Sequence, residues 1–117
     1  MKYMDPKDLH YNLNDPSLLI LDVRDYDFDH KVIKNAVNIP FEFFTLSHKQ
    51  AIVSKMEPLL RTKTKLVVHC ALSQVRGPKT ARILTELLSS SIDICILRGG
   101  YDDYSVSYPD DIVEYSE

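Results

Sequence analysis

The sequence predicts an α/β fold: a central, mostly parallel, five-stranded sheet covered by helices on both faces, a three-layer α/β/α arrangement. Three features carry that expectation. Short apolar runs, led by Leu18–Leu21 and Leu66–Val68, are too brief for ordinary helices and do not alternate with polar residues. That is the pattern of strands buried on both faces. Between these runs lie segments with the spacing of amphipathic helices, and proline, glycine or serine marks most of the joints.

Met1–Met4 reads as a short lead-in strand. Asp5-Pro6 has the form of an N-cap with proline at the first helical position, and Leu9 and Leu13 are one turn apart, so a helix is expected from Pro6 to about Asn12. Asn14-Asp15-Pro16 turns the chain into the strand Leu18–Leu21. Tyr26–Lys34 mixes acids with aromatic and basic groups and reads as a turn or a short helix. Asn35–Pro40 is the third strand, stopped by its proline, and Phe41, Phe43 and Phe44 are core or pocket-edge residues. Ser47 and Gln50 have capping-box spacing, which places a helix from His48 to about Glu57, ended by Pro58. Lys65–Cys70 is the central strand. Ala81, Ile83, Leu84, Leu87 and Leu88 give one apolar face of a helix that begins near Gly77-Pro78. Ile92–Leu97 is a further strand, Gly99-Gly100 turns the chain, and Tyr101–Tyr104 is a short helix. The acidic tail from Asp110 is expected to be peripheral.

A length of 117 residues fits one domain, taken as 1–117, with a single core. The net charge of −3 argues against nucleic acid as a main partner. No apolar run approaches the ~18 residues of a membrane span, and the first residues lack a signal-peptide core. Two cysteines form neither a disulfide framework nor a zinc pattern. A reducing compartment, cytoplasm or nucleus, is expected, and the chain is expected to be a monomer needing no metal and no organic cofactor.

The chemistry concentrates at residues 69–78, His-Cys-Ala-Leu-Ser-Gln-Val-Arg-Gly-Pro. A strand delivers Cys70 to a loop, and the loop feeds a helix N-terminus. N–H groups of such a loop converge on one point and favour negative charge there, which suits a thiolate or an oxyanion. Arg76 adds a planar fork for phosphate-like oxygens. Ala71, Leu72, Ser73, Gln74 and Val75 would supply backbone N–H groups, with Arg76 closing the phosphate-binding loop. The Ser73 hydroxyl could assist the leaving thiolate or tie down the loop. Adjacent strand residues face opposite ways, so His69 is read as a buried brace rather than the base of a Cys–His dyad. Asp22 and Arg24 end a neighbouring strand and are read as a structural charge pair beside the loop. Cys95 sits among isoleucines and is read as inert core; as a resolving thiol it would make oxidation of Cys70 reversible. His10, His30 and His48 look like solvated surface residues.

These residues resemble a known family. Cys70-Ala-Leu-Ser-Gln-Val-Arg76-Gly77-Pro78 resembles the signature of the rhodanese-fold phosphatases, including the M-phase inducer dual-specificity phosphatases, and is equally similar to the eukaryotic arsenate reductases of that fold. Leu21–Asp25, Ala36–Pro40 and Leu97–Tyr101 resemble further family segments, so the likeness covers most of the chain. It implies a rhodanese-like fold and a cysteine-dependent protein phosphatase, tyrosine or dual-specificity, with a phosphocysteine on Cys70. The substrate would be a phosphoprotein or a small oxyanion, phosphate or arsenate. The alternatives it implies are an arsenate reductase using glutathione or glutaredoxin, a sulfurtransferase, and a phosphopeptide-binding module with little turnover. Family sulfurtransferases generally have a loop one residue shorter; five residues between Cys70 and Arg76 make the larger cradle. Two departures stand out. Lys31-Val32-Ile33 replaces the family's Gly-His-Ile, and Val75 stands where the inducer phosphatases often carry a glutamate discussed as the general acid. Asp25, Asp27 and Asp29, on the neighbouring loop, are then the candidate proton donors.

Overall fold

The sheet is assembled from apolar runs that bury both of their faces. In the computed structural model, which describes residues 2–116, all five residues of β2 (Leu18–Asp22) are buried. Successive residues point to opposite sides of a strand. Leu19 and Leu21 therefore join a core with Leu66, Val68, Ile52, Met56 and Leu84, while Leu18 and Ile20 join a second core with Leu9, Val67, Leu97 and Tyr104. Two cores, one on each face, explain why the run has no polar alternation.

The other sheet strands are β1 (Tyr3–Met4), β4 (Val37–Asn38), β5 (Lys65–His69) and β6 (Asp93–Leu97). Their order is β1-β6-β5-β2-β4, and every pairing is parallel. Met1, the first residue of the expected lead-in strand, lies outside the described residues. Helices α2 (Phe41–Leu46), α3 (Lys49–Leu60) and α4 (Arg76–Leu87) contribute to the first core; α1 (Pro6–Tyr11) and α5 (Gly100–Ser107) contribute to the second. β5 lies at the centre of the sheet, and its carboxyl end is where the cysteine loop leaves it.

Several boundaries differ from expectation for identifiable reasons. Pro58 does not end α3; it sits inside the final turn, where it removes one donor and the helix runs on to Leu60. The expected capping box is not made, because Ser47 ends α2 and the His48 ring accepts the Ala51 N–H at 3.2 Å. The phenylalanine cluster is helical, with Phe44 buried. Tyr26–Lys34 holds a strand, β3 (Lys31–Ile33), which pairs antiparallel with β7 (Ile112–Glu114).

The acidic tail is thus not peripheral. It passes through a 3₁₀ turn at Pro109–Asp111 before reaching β7. Asp111 Oδ2 takes a hydrogen bond from Tyr104 Oη at 2.7 Å and lies 2.7 Å from His10 Nδ1. The His10 ring stacks on Tyr108 with centroids 4.1 Å apart, so this histidine is a clasp rather than a solvated surface group. Among the described residues no helix is long and apolar enough to cross a membrane.

Candidate active site

Cys70 follows the last residue of β5, and Arg76 is the first residue of α4. The loop between them turns back over the strand end. Cys70 is buried with the core on the α4 side. His69 points the other way, and its ring lies parallel to Tyr101 at 6.4 Å. The opposed directions rule out a direct His69–Cys70 proton transfer in this geometry. His69 Nδ1 lies 3.1 Å from the Cys70 carbonyl; a carbonyl only accepts, so this nitrogen carries the hydrogen. Burial pushes the His69 pKa down, so the ring is the neutral brace that the sequence suggests.

The Cys70 sulfur accepts the backbone N–H of Gly77 at 3.2 Å. That donor belongs to the first turn of α4, so an unsatisfied helix-end N–H is spent on the sulfur. The sulfur opens into a pocket of about 370 Å³ lined by Tyr26, Asp27, Cys70, Ala71, Leu72, Gln74, Val75 and Arg76. A larger cavity, of about 530 Å³, borders the amino-terminal stretches of β2 and contains Lys63 and Asp15 but no thiol, histidine or arginine. Ser73 does not line the smaller pocket. It is buried, has φ of 56°, and its hydroxyl has no hydrogen-bond partner among the described residues. The Ser73 side chain therefore does not tie down the loop through a hydrogen bond.

The loop is held from below by α5. The N–H groups of Tyr101 and Asp102 donate to the carbonyls of Cys70 and Ala71, each at 2.9 Å. Gly100 has φ of 64°, and a Cβ there would meet the Ala71 oxygen at 2.5 Å and the Cys70 oxygen at 2.7 Å. Only glycine lets α5 come this close.

Asp22 and Arg24 act one step further out. Arg24 Nη2 contacts Asp22 Oδ2 at 2.7 Å, and Nε reaches both carboxylate oxygens at 3.0–3.1 Å. The guanidinium lies 3.7 Å from the centroid of the Tyr101 ring. The pair touches neither the sulfur nor the pocket; it braces Tyr101, and Tyr101 braces Cys70.

Arg76 is engaged along the edge formed by its two terminal nitrogens. Its Nη1 lies 2.7 Å from Asp25 Oδ1 and 2.7 Å from Asp27 Oδ1, and its Nη2 lies 2.6 Å from Asp27 Oδ2. The exposed Tyr26 ring sits 5.2 Å from the same guanidinium. Hydrogen bonds from Arg76 hold the Asp27 carboxyl below the usual carboxylate range and raise the Arg76 pKa in turn.

The three candidate proton donors separate on this geometry. Asp29 is a correction: it lies away from the pocket, bonded to Arg24 Nη1 at 3.3 Å and to the Lys31 N–H at 3.1 Å. Asp25 reaches Arg76 but does not line the pocket, and Asp27 does both.

Sequence reasoning missed Tyr26 as a pocket wall and Gly100, Tyr101 and Asp102 as the floor of the loop. Consecutive glycines after a strand were the available signal for the floor; nothing in the sequence marked Tyr26. Cys95 is buried, with its pKa pushed up to about 11 by that burial, and it lies on β6 away from the pocket. Among the described residues no group of three or more His, Cys, Asp or Glu side chains is placed to hold a metal ion.

The sequence and the fold both have counterparts among known proteins. Residues 5–107 match the rhodanese-like domain family. The chain belongs to that family. It is 45% identical over 73 residues to the dual specificity phosphatase ibp1 of Schizosaccharomyces pombe, an alignment covering 62% of this chain and 49% of that protein. The chain spans about half the length of that relative, and the alignment with the rat M-phase inducer phosphatase 2, at 31% identity, covers only 17% of the latter. The structure of yeast Ygr203w, a protein tyrosine phosphatase of the rhodanese family, superposes with a TM-score of 0.84 over 98% of this chain and 93% of that one. Its 24% identity makes it a statement about fold. The As-Sb reductase of Leishmania major superposes with a TM-score of 0.76 at 29% identity, covering 93% of this chain and 79% of that one.

Proposed function

We propose that this rhodanese-like chain is a cysteine-dependent phosphatase acting on phosphotyrosine, or on phosphotyrosine and phosphothreonine, in proteins. The reading is carried by the pairing of the Cys70 sulfur, which accepts the Gly77 N–H at 3.2 Å, with Arg76 across the same pocket. In the reaction the Cys70 thiolate attacks phosphorus and the ester oxygen leaves. Loop N–H groups and Arg76 stabilise the charge that develops on the equatorial oxygens. Water then hydrolyses the phosphocysteine. The pocket rim favours an aryl substrate: Tyr26, Leu72 and Val75 are 90%, 50% and 69% exposed and border the opening. A phosphotyrosine ring would cover part of that apolar surface.

The likeness to the Leishmania As-Sb reductase favours a second reading, arsenate reduction in the same cradle. Cys95 is buried outside the pocket, so the reductant would be an external thiol such as glutathione or glutaredoxin. A five-residue loop between Cys70 and Arg76 weighs against sulfur transfer. The experiment is a side-by-side assay of an aryl phosphate, of arsenate with thiol donor, and of thiosulfate with cyanide. Aryl-phosphate turnover that disappears in Cys70→Ser is expected. Activity only with arsenate, or only with thiosulfate, would replace the main reading, and phosphopeptide binding without turnover would make the chain a binding module.

A further inference from the structure

An arginine meant to grasp an oxyanion is here already grasping two carboxylates. Asp27 takes both terminal nitrogens of Arg76, at 2.7 and 2.6 Å, and Asp25 takes Nη1 again at 2.7 Å. One positive charge faces two negative ones, beside a thiol that reacts as a thiolate. A phosphate dianion that grips Arg76 by its two terminal nitrogens takes the edge that Asp27 occupies.

We infer that Asp27 is the leaving-group acid and that the substrate itself loads it: the oxyanion displaces the Asp27 carboxylate from Arg76, and the freed carboxylate takes up the proton that it later delivers. The inference rests on the phosphatase reading for its second half only. Displacement and proton uptake need nothing more than an oxyanion.

The electrostatics follow from the groups present. The titratable or charged groups that bond Asp27 or share its pocket are Arg76 on α4, Cys70 on the loop and Tyr26 on its own segment, with Asp25 joined through Arg76. Arg24 and Asp29 form a separate pair and supply no charge to the exchange. In the resting site Arg76 favours the ionised carboxylate. After exchange that cation is bound to the substrate, and a dianion lies beside the carboxylate. Both changes favour protonation.

Asp27 is distinguished from its neighbours by position. Asp25 is held by the Tyr26 N–H at 3.0 Å as well as by Arg76, which fixes it as part of the turn. Asp27 lines the pocket. The steps then balance. The Cys70 sulfur forms the S–P bond as the P–O ester bond breaks, and the electron pair stays on the departing oxygen. That oxygen receives the Asp27 proton, leaving a carboxylate. Water attacks the phosphocysteine, gives its proton to the Asp27 carboxylate, and the P–S pair returns to sulfur. When phosphate leaves, Asp27 releases the proton and returns to Arg76. A donor supplied from residue 27 accounts for a valine at position 75, inside the loop.

The experiment has two arms. In the first, sulfate, which stays a dianion throughout the neutral range, is titrated calorimetrically into the Cys70→Ser protein at about pH 6 in two buffers of different ionisation enthalpy. The expected result is uptake approaching about one proton per sulfate, falling near zero in Cys70→Ser/Asp27→Asn, which should bind sulfate several-fold more tightly because its competitor is gone. No sulfate binding, or binding without proton uptake, overturns the proposal.

In the second arm, Asp27→Asn should lower kcat on a phosphotyrosine peptide by about 10²-fold but on p-nitrophenyl phosphate, whose leaving group needs little protonation, by less than about tenfold. Asp25→Asn should affect both substrates equally. Equal losses in Asp27→Asn, or leaving-group dependence in Asp25→Asn instead, overturns the assignment. A wild-type protein that turns over neither substrate defeats the phosphatase reading, and the proton count still decides the exchange.

Discussion

Replacing Gly100 by alanine should damage the loop through the backbone alone. The new Cβ would stand 2.5 Å from the Ala71 oxygen and 2.7 Å from the Cys70 oxygen, against a usual carbon–oxygen contact of about 3.3 Å. Neither oxygen is the end of a flexible side chain, so α5 must retreat by roughly 0.6–0.8 Å. The Tyr101 and Asp102 hydrogen bonds, now 2.9 Å, would stretch to about 3.6 Å and cease to be bonds. Each is worth about 1 kcal/mol, and the left-handed φ of 64° adds about 1 kcal/mol for a residue with a Cβ. The sum is about 3 kcal/mol. With roughly 2.1 cal/mol/K of unfolding entropy per residue over 117 residues, the thermal midpoint falls by about 12 °C. Turnover should fall by about 10–10² through displacement of Cys70. Gly99→Ala is the comparison: its φ is 77°, and the new Cβ would meet only the Asp103 side chain, whose carboxylate can swing away while its Cβ, 2.8 Å off, must shift slightly; no loop hydrogen bond is lost, so about 1–2 kcal/mol and roughly 4–8 °C are lost. Calorimetric melting of both variants reads the difference. A Gly100→Ala midpoint within about 3 °C of wild type, or equal to that of Gly99→Ala, refutes the contact argument.

Other expectations concern the groups around the loop. Because burial depresses the His69 pKa, the unfolded chain binds the extra proton more readily. Stability therefore falls as pH drops below about 6.5, the unfolded histidine value. Urea midpoints between about pH 5 and 7.5 should show that slope, and His69→Asn, which keeps a donor for the Cys70 carbonyl, should flatten it. Arg24→Met strands the fully buried Asp22 carboxylate and should cost about 3–5 kcal/mol in urea denaturation; Asp22→Leu/Arg24→Met should recover much of the loss. Iodoacetamide near neutral pH should label Cys70 and spare Cys95, whose pKa is pushed up to about 11, so intact-protein mass spectrometry should find a single adduct. Two adducts on the folded protein would contradict the burial of Cys95.

What could be read in the sequence was whatever depended on neighbours along the chain. The run Leu18–Leu21 announced a strand buried on both faces, and Cys70 followed by Arg76, Gly77 and Pro78 announced a strand, a loop and a helix start. The parts that stayed hidden depend on pairings far apart in sequence. Lys31–Ile33 is too short to stand out, and it becomes a strand because Ile112–Glu114 lies beside it. His10 looked solvated because Asp111 and Tyr108, its partners, are about a hundred residues away. Pro58 looked like a stop because proline removes an i→i−4 hydrogen bond and crowds the preceding turn, yet the helix continues only two residues past it, to Leu60. Gly100 was visible as a turn but not as the floor of the loop, because that role belongs to carbonyls some thirty residues earlier.

The segment from Asp22 to Asp29 supplies the carboxylates of two arginine–carboxylate clusters, one closed by its own Arg24 and one by Arg76, and burial decides what each can do. Arg24 and Asp22 have side chains only 3% and 0% exposed. Opening that pair would leave a bare charge in the interior at a cost of several kcal/mol, so it stays closed and serves as a brace for Tyr101. Arg76 and Asp27 are 16% and 25% exposed and meet at the wall of an open pocket. Solvent and an incoming anion can each replace the partner that is lost, so this pair costs less to open than the buried one. On the proposed mechanism an incoming phosphate separates Arg76 from Asp27, while Arg24 remains fixed on Asp22. The same chemical pair is buried on one side of Asp25 and open to the pocket on the other, so the proposed exchange takes place in the pocket that holds Cys70 and leaves the support of the loop untouched.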